Sequence, residues 1–461
     1  MTATVDGTQI SARELKRRSI AWAFWDWGSA SFNAVVTTFV FSRYIASDYF
    51  VDPAIVAAAN GDDQYQPLVK ALADNSAVVG TALAIAGVAV AAIAPVLGQR
   101  SDGRGKRKFW MAVNTGITIL AMLGMFFVTP VPEYIWLGAI LLAAGNIFFE
   151  IASVNYNAMI TQVSTPATMG RISGFGWGMG YVGGIVLLAL LLVLFIFDFG
   201  TGGGGILAIP NGIEGGALDV RLAIVASAAW FFVFSIPVLL KVPELPADPD
   251  RKQVSILDSY RQLFSTIKVI ATSRKNVLMF LIASAVFRDG LSGVFTFGAI
   301  IASVVFGFST TEVLLFAIAA NVTAGIGTFV GGWVDDRFGP KLVILTSLAI
   351  MIASAAVMYF VDSKEAFWVV GLALTIFVGP VQSSARAFMA RITPIGREGE
   401  MFGLYATSGR AVGFLTAGLF AVFVAVGGDT RYGIIAIALV LIAGIALMIP
   451  VKTEGHAKLN A

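Results

Sequence analysis

Six ionisable side chains stand inside long apolar runs: Asp26, Glu150, Arg288, Asp289, Arg386 and Arg410. In hydrocarbon each costs about 2.5–3.5 kcal/mol on the lenient insertion scale, so such residues face protein or a water-filled path. The first half of the chain supplies only acids, Asp26 and Glu150, whereas the second supplies three arginines and one acid. Two kinds of chemistry suit that partition. Opposite charges that meet across a cavity in one state and part in another form a gate. A carboxylate in a cavity that dries holds a proton more readily, and so couples proton movement to conformation. All six are therefore proton-coupling or gate candidates. Fixed ion pairs are the plainer alternative: Arg288 offers Asp289 a local partner, and Arg410 falls close enough to a membrane surface to snorkel.

Uncharged polar residues extend the set. Asn146, Glu150, Ser153 and Asn157 recur at helical spacing and make one stripe, with Tyr156 on an adjacent face. Gln382 and Arg386 make a matching pair four residues apart. Asn33, Asn146, Tyr156, Asn157, Asn321 and Gln382 are the candidate substrate contacts, although any single Asn serves equally well as an interhelix hydrogen-bond partner. The chain has no cysteine, and its one histidine is His456. Thiol catalysis, disulfides, cysteine metal sites and histidine relays are excluded, and neither a metal nor another cofactor is expected. No Walker-type phosphate loop is present, so ATP hydrolysis is not expected either.

The elements that position these residues follow from composition. Of 461 residues, 57% are apolar and 13% charged, against nearer a quarter charged in a soluble domain; mean hydropathy is +0.83. That excludes a soluble enzyme and a nucleic-acid binder, and a net charge of +3 implies no polyanionic partner. Twelve apolar runs are expected to span a membrane, near 20–42, 76–97, 109–128, 134–158, 172–197, 221–240, 276–302, 311–332, 342–361, 367–390, 401–425 and 432–451. Continuous runs of this length are helices, because lipid offers backbone groups no partner. The first is too long for a signal-peptide core and reads as a retained span.

Charge orients the stack. Arg13, Lys16, Arg17 and Arg18, then Arg100, Arg104 and Lys106–Lys108, then seven Lys and Arg between 241 and 275, all fall on one side. The other side carries Arg43, Lys70, Arg221, Lys364 and Arg431. The positive-inside rule makes both termini cytoplasmic, in a multi-pass protein of the plasma or inner membrane. The 241–275 connection divides the chain into a first six-helix bundle (1–240) and a second (276–461), and its apolar residues from Ile256 to Ile270 recur as in an amphipathic helix on the membrane surface.

The halves repeat each other. Gly98, Asp102, Gly105 and Arg107 after span two match Gly332, Asp336, Gly339 and Lys341 after span eight. Thr165-Pro166 matches Thr393-Pro394, Gly174 and Gly180 fall opposite Gly403 and Gly409, and Asp26 is placed much as Asp289 is. Such parallel repeats enclose a path between two bundles. Stripes of small residues, Gly176–Gly180–Gly184, Gly327–Gly331 and Gly409–Gly413, permit close helix approach.

On these residues the chain resembles the major facilitator superfamily, whose signature between helices two and three is similar to the doubled Gly-x-x-x-Asp-x-x-Gly connection. The segments Trp22–Ala30, Gly170–Gly184 and Gln382–Arg386 running on to Phe402-Gly403 resemble a narrower branch, the autophagy-related vacuolar amino-acid effluxers and their bacterial relatives. Trp25 stands where that branch has Tyr, and Gly28-Ser29 replace Ala-Asn. The resemblance implies an all-α membrane protein of twelve transmembrane helices in two pseudo-symmetric bundles. It further implies seams lined by spans two, five, eight and eleven, and a latch on the inner side made by Gly98, Asp102, Gly105, Arg107, Gly332, Asp336 and Gly339, the two carboxylates capping neighbouring helices. The function implied is secondary active transport by alternating access, not enzymatic catalysis, of a small polar solute such as an amino acid. Proton coupling is expected, in a monomer surrounded by lipid and without nucleic acid. Export of amphipathic drugs or lipid-like compounds is the alternative within transport; a membrane enzyme acting on lipid-linked substrates is the alternative outside it.

Overall fold

A computed structural model describes residues 2–5, 8–62, 64–197, 199–200, 202–245 and 255–453. Among these, ten helices are long and apolar enough to cross a membrane. Two more complete the twelve. Span one is Ala12–Ala30 continued by a π-helical segment, Ser31–Phe39, and span twelve is the shorter apolar helix Tyr432–Met448. The others are span two Gln66–Arg104, three Arg107–Met125, four Ile135–Ala158, five Met169–Leu191, six Leu218–Lys241, seven Lys275–Val304, eight Thr310–Phe338 and nine Pro340–Phe360. Span ten is broken into Lys364–Ile376 and Val378–Ile392, and span eleven into Glu398–Val412 and Leu415–Gly427.

Helix ends depart from the apolar runs for local reasons. Span two overruns its run at both ends because polar residues such as Gln66, Asp74 and Arg100 continue a helix outside the apolar zone. It stops where Gly105 adopts φ +59, which costs other residues a Cβ clash. The 43–75 connection carries the short helix Pro53–Ala59, capped by Asp52 and ended by Asn60 in the left-handed region. The amino tail, read as a basic lead-in, contains two strands, Thr2–Val5 and Thr8–Ser11, paired antiparallel. Ser11 then caps span one through the Glu14 amide.

Span one begins and span twelve ends at one face, here termed the termini side. The Ser19 hydroxyl at the start of span one donates to the Val163 carbonyl just beyond span four. Lys452, after span twelve, exchanges hydrogen bonds with Asn276 at the start of span seven. The linker helix Ile256–Ser273 lies on this face, held to span two by Tyr260 and Gln262.

Between the halves the seams run from spans two to eleven and from five to eight, and the packing along them is graded. At the termini end backbones touch. A Cβ on Gly98 would lie 2.1 Å from the Gly399 carbonyl, one on Gly403 would lie 2.4 Å from Pro95 Cα, and one on Gly174 would lie 2.7 Å from the Thr328 carbonyl. Further along, Gly87 meets only the Arg410 side chain at 3.7 Å, and Gly80 meets nothing within 4 Å. Beyond Arg410, span eleven is largely exposed. The halves are thus closed on the termini side and splayed on the other.

The small-residue stripes pack mainly within a half: Gly176, Gly180 and Gly184 on Trp22, Asp26 and Ala30 of span one, and Gly327 and Gly331 on Ile376 and Pro380 of span ten; Gly176 alone of these also meets Arg386 of the other half. The tightest seam glycines include Gly98, Gly170, Gly174, Gly178, Gly332, Gly399 and Gly403.

Candidate functional site

Three layers of charge cross between the halves, and the termini-side layer is built by the two signature connections. The Asp102 carboxylate accepts from the Gly399 and Glu400 amides, 2.9 Å each, and so caps the first turn of span eleven. In the second copy Asp336 accepts from the Gly170 amide at 2.8 Å, capping span five. Each half thereby places an acid on the positive end of the other half's helix. Arg107, almost fully buried, bridges Asp102 at 2.6 Å and Glu398. The second copy uses Arg391 on Asp335 at 2.5 Å, with Arg171 on Asp336 at 3.3 Å. The signature glycines divide by task. Gly98 and Gly332 allow the crossing; Gly105 and Gly339, at φ +59 and +88, turn the chain after the helix.

The middle layer surrounds Arg386 of span ten. Its guanidinium donates to Asp26 Oδ2 at 3.1 Å, Asn157 Oδ1 at 3.1 Å, Ser173 Oγ at 2.9 Å and the Ser173 carbonyl at 2.6 Å. It also lies over the Trp22 and Trp177 rings, 4.8 and 4.9 Å from their centroids. Tyr156 donates to the same Asp26 oxygen at 2.8 Å and is itself stacked between Trp22 and Trp25. Spans one, four and five of the first half therefore converge on one arginine of the second. Gly176 is the condition for this approach, since a Cβ there would come within 2.6 Å of Trp22.

Glu150 and Arg410 form the third layer, 2.5 Å apart. Glu150 precedes Tyr156 by six residues on span four, roughly 9 Å further from the termini side. Arg410 is twelve residues into span eleven, roughly 18 Å from its start. Its guanidinium is turned to Glu150 of the other half. The side chains of this pair are 36% and 26% exposed, against 2% and 15% for Arg386 and Asp26. The outer pair thus borders the splayed region, and the middle pair is sealed beneath it.

The remaining candidates separate from this stack. Arg288 does not pair with Asp289, because consecutive helical residues face different ways. Arg288 donates to the Tyr405 carbonyl and lies over that ring at 4.0 Å. Asp289 accepts from the Thr416 amide at 2.7 Å and hydroxyl at 2.5 Å, capping the second piece of span eleven within its own half. Gln382 accepts from Tyr181 across the five–eight side at 3.1 Å. Asn321 donates to the Ala317 carbonyl of its own helix. Asn33 is exposed in the π-helical part of span one, where its carbonyl accepts from Thr37 and Thr38 at 2.7 Å each. Asn146 is buried, and its Oδ1 has no partner among the described residues.

Sequence reasoning missed Ser173, Trp177, Asp335, Arg391 and Glu398. An acid and an arginine in polar connections look solvated, and nothing local signals their partners. Trp177 had a signal in its segment, a large ring among glycines, which marks a side chain meant to lie against something.

Comparisons with known proteins agree with this architecture. The sequence profile of the family described as "Vacuole effluxer Atg22 like" matches residues 161–459. An uncharacterized MFS-type transporter, YxiO of Bacillus subtilis, is 23% identical over 445 residues, covering 96% of each chain. Autophagy-related protein 22 of Cryptococcus neoformans is 22% identical over 62% of this chain, a match spanning about half (51%) of that relative's length. Among solved structures, the proton:xylose symporter XylE aligns with TM-score 0.73 at 13% identity, covering 98% of this chain and 99% of that one. The MFS transporter FucP in its outward conformation aligns with TM-score 0.66 at 12% identity, covering 95% and 99%. Twelve helices in two bundles, the doubled latch and the family match agree: the chain belongs to the vacuole effluxer Atg22-like family of major facilitator transporters.

Proposed function

We propose that this transporter moves a small polar solute, with an amino acid the best-fitting class, by alternating access coupled to protons. The halves 1–240 and 276–461 are the rocking bodies. The positively charged termini side faces the cytoplasm of a cell that carries the protein, as a monomer, in its plasma or inner membrane. The observation that carries the reading is the pair of cross-half contacts, Asp26–Arg386 beneath Glu150–Arg410, in a molecule closed on one side only.

Glu150 borders the splayed side and exchanges protons with it. A proton on Glu150 releases Arg410 to a solute carboxylate, and the unpaired Asn146 acceptor one turn away suits an ammonium or amide donor. Parting of Asp26 from Arg386 then accompanies opening of the latch. Arg410 and Arg386 supply an anion path through the molecule in either direction.

Purified protein in liposomes tests this. Glu150→Gln and Asp26→Asn are expected to abolish proton-driven accumulation of the solute while sparing exchange. Transport with unaltered pH dependence in both variants contradicts their coupling role.

A further inference from the structure

A cleft of about 540 Å³ opens on the termini side, between the linker helix Ile256–Ser273 and the closed seam. It borders the termini-side charge layer but contains none of the residues of the two deeper pairs, and the transport reading does not use it. Its walls come from both halves: Gln99 at the end of span two, Gln262 and Ile270 on the linker helix, Arg274 and Val277 at the start of span seven, and Arg397 before span eleven.

The polar groups in this cleft are incompletely matched. Gln99 is 6% exposed; its amide donates to Gln262 Oε1 at 3.1 Å, but its own Oε1 is buried with no partner among the described residues. A buried acceptor left unpaired is destabilising unless a donor is supplied. Arg274 lies within ion-pair distance of no acid among the described residues, and Arg397 reaches Glu400 only at 4.0 Å. Val277, Ile270 and Met401 make the rest apolar. Two guanidiniums suit an oxyanion, the Gln99 carbonyl suits a hydroxyl beside it, and the volume suits a small organic molecule.

We infer that the cleft binds a glycerol-phosphate group, presented either as a soluble polyol phosphate or as the headgroup of an anionic lipid. A lipid has a route to it, because the outer face of the linker helix exposes Leu257 and Phe264 beside Arg261 and Lys268. Since Gln99 belongs to one half, Arg397 to the other and Arg274 to the linker end that leads into span seven, the bound group clamps the termini side shut.

Thermal unfolding of the full chain tests binding without reference to transport, so its failure leaves the transport reading untouched. In detergent, glycerol 3-phosphate is titrated against inorganic phosphate; in nanodiscs, phosphatidylglycerol is compared with phosphatidylcholine. Saturable stabilisation by glycerol 3-phosphate identifies the soluble source, and stabilisation by phosphatidylglycerol alone identifies the lipid. Arg274→Gln with Arg397→Gln is expected to weaken either by roughly tenfold or more. Gln99→Leu, which keeps both cations, is expected to erase the preference for glycerol 3-phosphate over inorganic phosphate. Stabilisation by neither source, equal stabilisation by inorganic phosphate in the unsubstituted chain, or full retention in the double variant overturns the inference.

Discussion

Arg386 is the residue on which most of the site depends. A guanidinium presents donors in a plane, and here that plane is used on two sides and two faces: Asp26 and Asn157, Ser173, and the rings of Trp22 and Trp177. Lysine carries the same charge but neither the fork nor the flat faces. Arg386→Lys is therefore expected to lower unfolding stability by about 2 kcal/mol, the scale of losing charge-assisted hydrogen bonds, and to cut transport at least tenfold. Unchanged uptake and melting in that variant contradict the assigned role. At this scale the sequence was informative: Asp26, Glu150, Arg386 and Arg410 stood out because charge in an apolar run needs a reason, and all four take part in cross-half pairs. The partners Ser173 and Glu398 did not stand out, being of types common anywhere on a helix or loop. Asp289 stood out for the same reason as Asp26, yet serves as a helix cap; a lone acid in a run does not disclose whether its partner is an arginine or a broken helix.

At the scale of elements, discontinuities are placed where they matter. Span eleven breaks at Gly413-Phe414, and Asp289 satisfies the exposed Thr416 amide, with Gly293 leaving room for the threonine methyl. Asp289→Ala is expected to cost about 1–2 kcal/mol in thermal unfolding and to leave the pH dependence of transport unchanged, unlike Glu150→Gln; a shifted pH profile would move Asp289 into the coupling machinery. The seam helices make a second case. Gly403→Ala drives a methyl into Pro95, whereas Gly80→Ala meets open space. The first is expected to disfavour the termini-closed state and the second to leave it alone, measured by thiol labelling of single cysteines at Thr407, whose hydroxyl now donates to the Ala91 carbonyl. Equal labelling in both backgrounds contradicts the graded seam. The helices themselves were legible from hydrophobic runs, and the two carboxylates that cap across the halves fall in the connections whose spacing repeats. The π-helical part of span one was not legible, since nothing in Ser31–Phe39 marks it; the breaks in spans ten and eleven had a local signal that the apolar runs masked, Pro380 four residues after Ile376 and Gly413 at the end of the first piece of span eleven.

The whole molecule is an arrangement of two similar halves that cap each other's helices. Asp102 and Asp336 act on opposite bundles, so the termini side is closed by two equivalent contacts. That doubling was visible in the sequence, whereas the state of closure was not, since no residue type records which end of a seam is shut. The most direct test uses the absence of native cysteines. Spin labels at Lys106 and Arg337 report the separation of the halves on the termini side, and labels at Glu133 and Glu365 report it on the other. Distances are measured by pulsed electron resonance in the unsubstituted background and in Asp26→Asn, across acidic and neutral pH. The account predicts reciprocal changes, the first distance lengthening as the second shortens, with Asp26→Asn shifted toward the termini-open arrangement. Two distances that stay fixed under every condition, or that lengthen together, contradict alternating access governed by these cross-half charges.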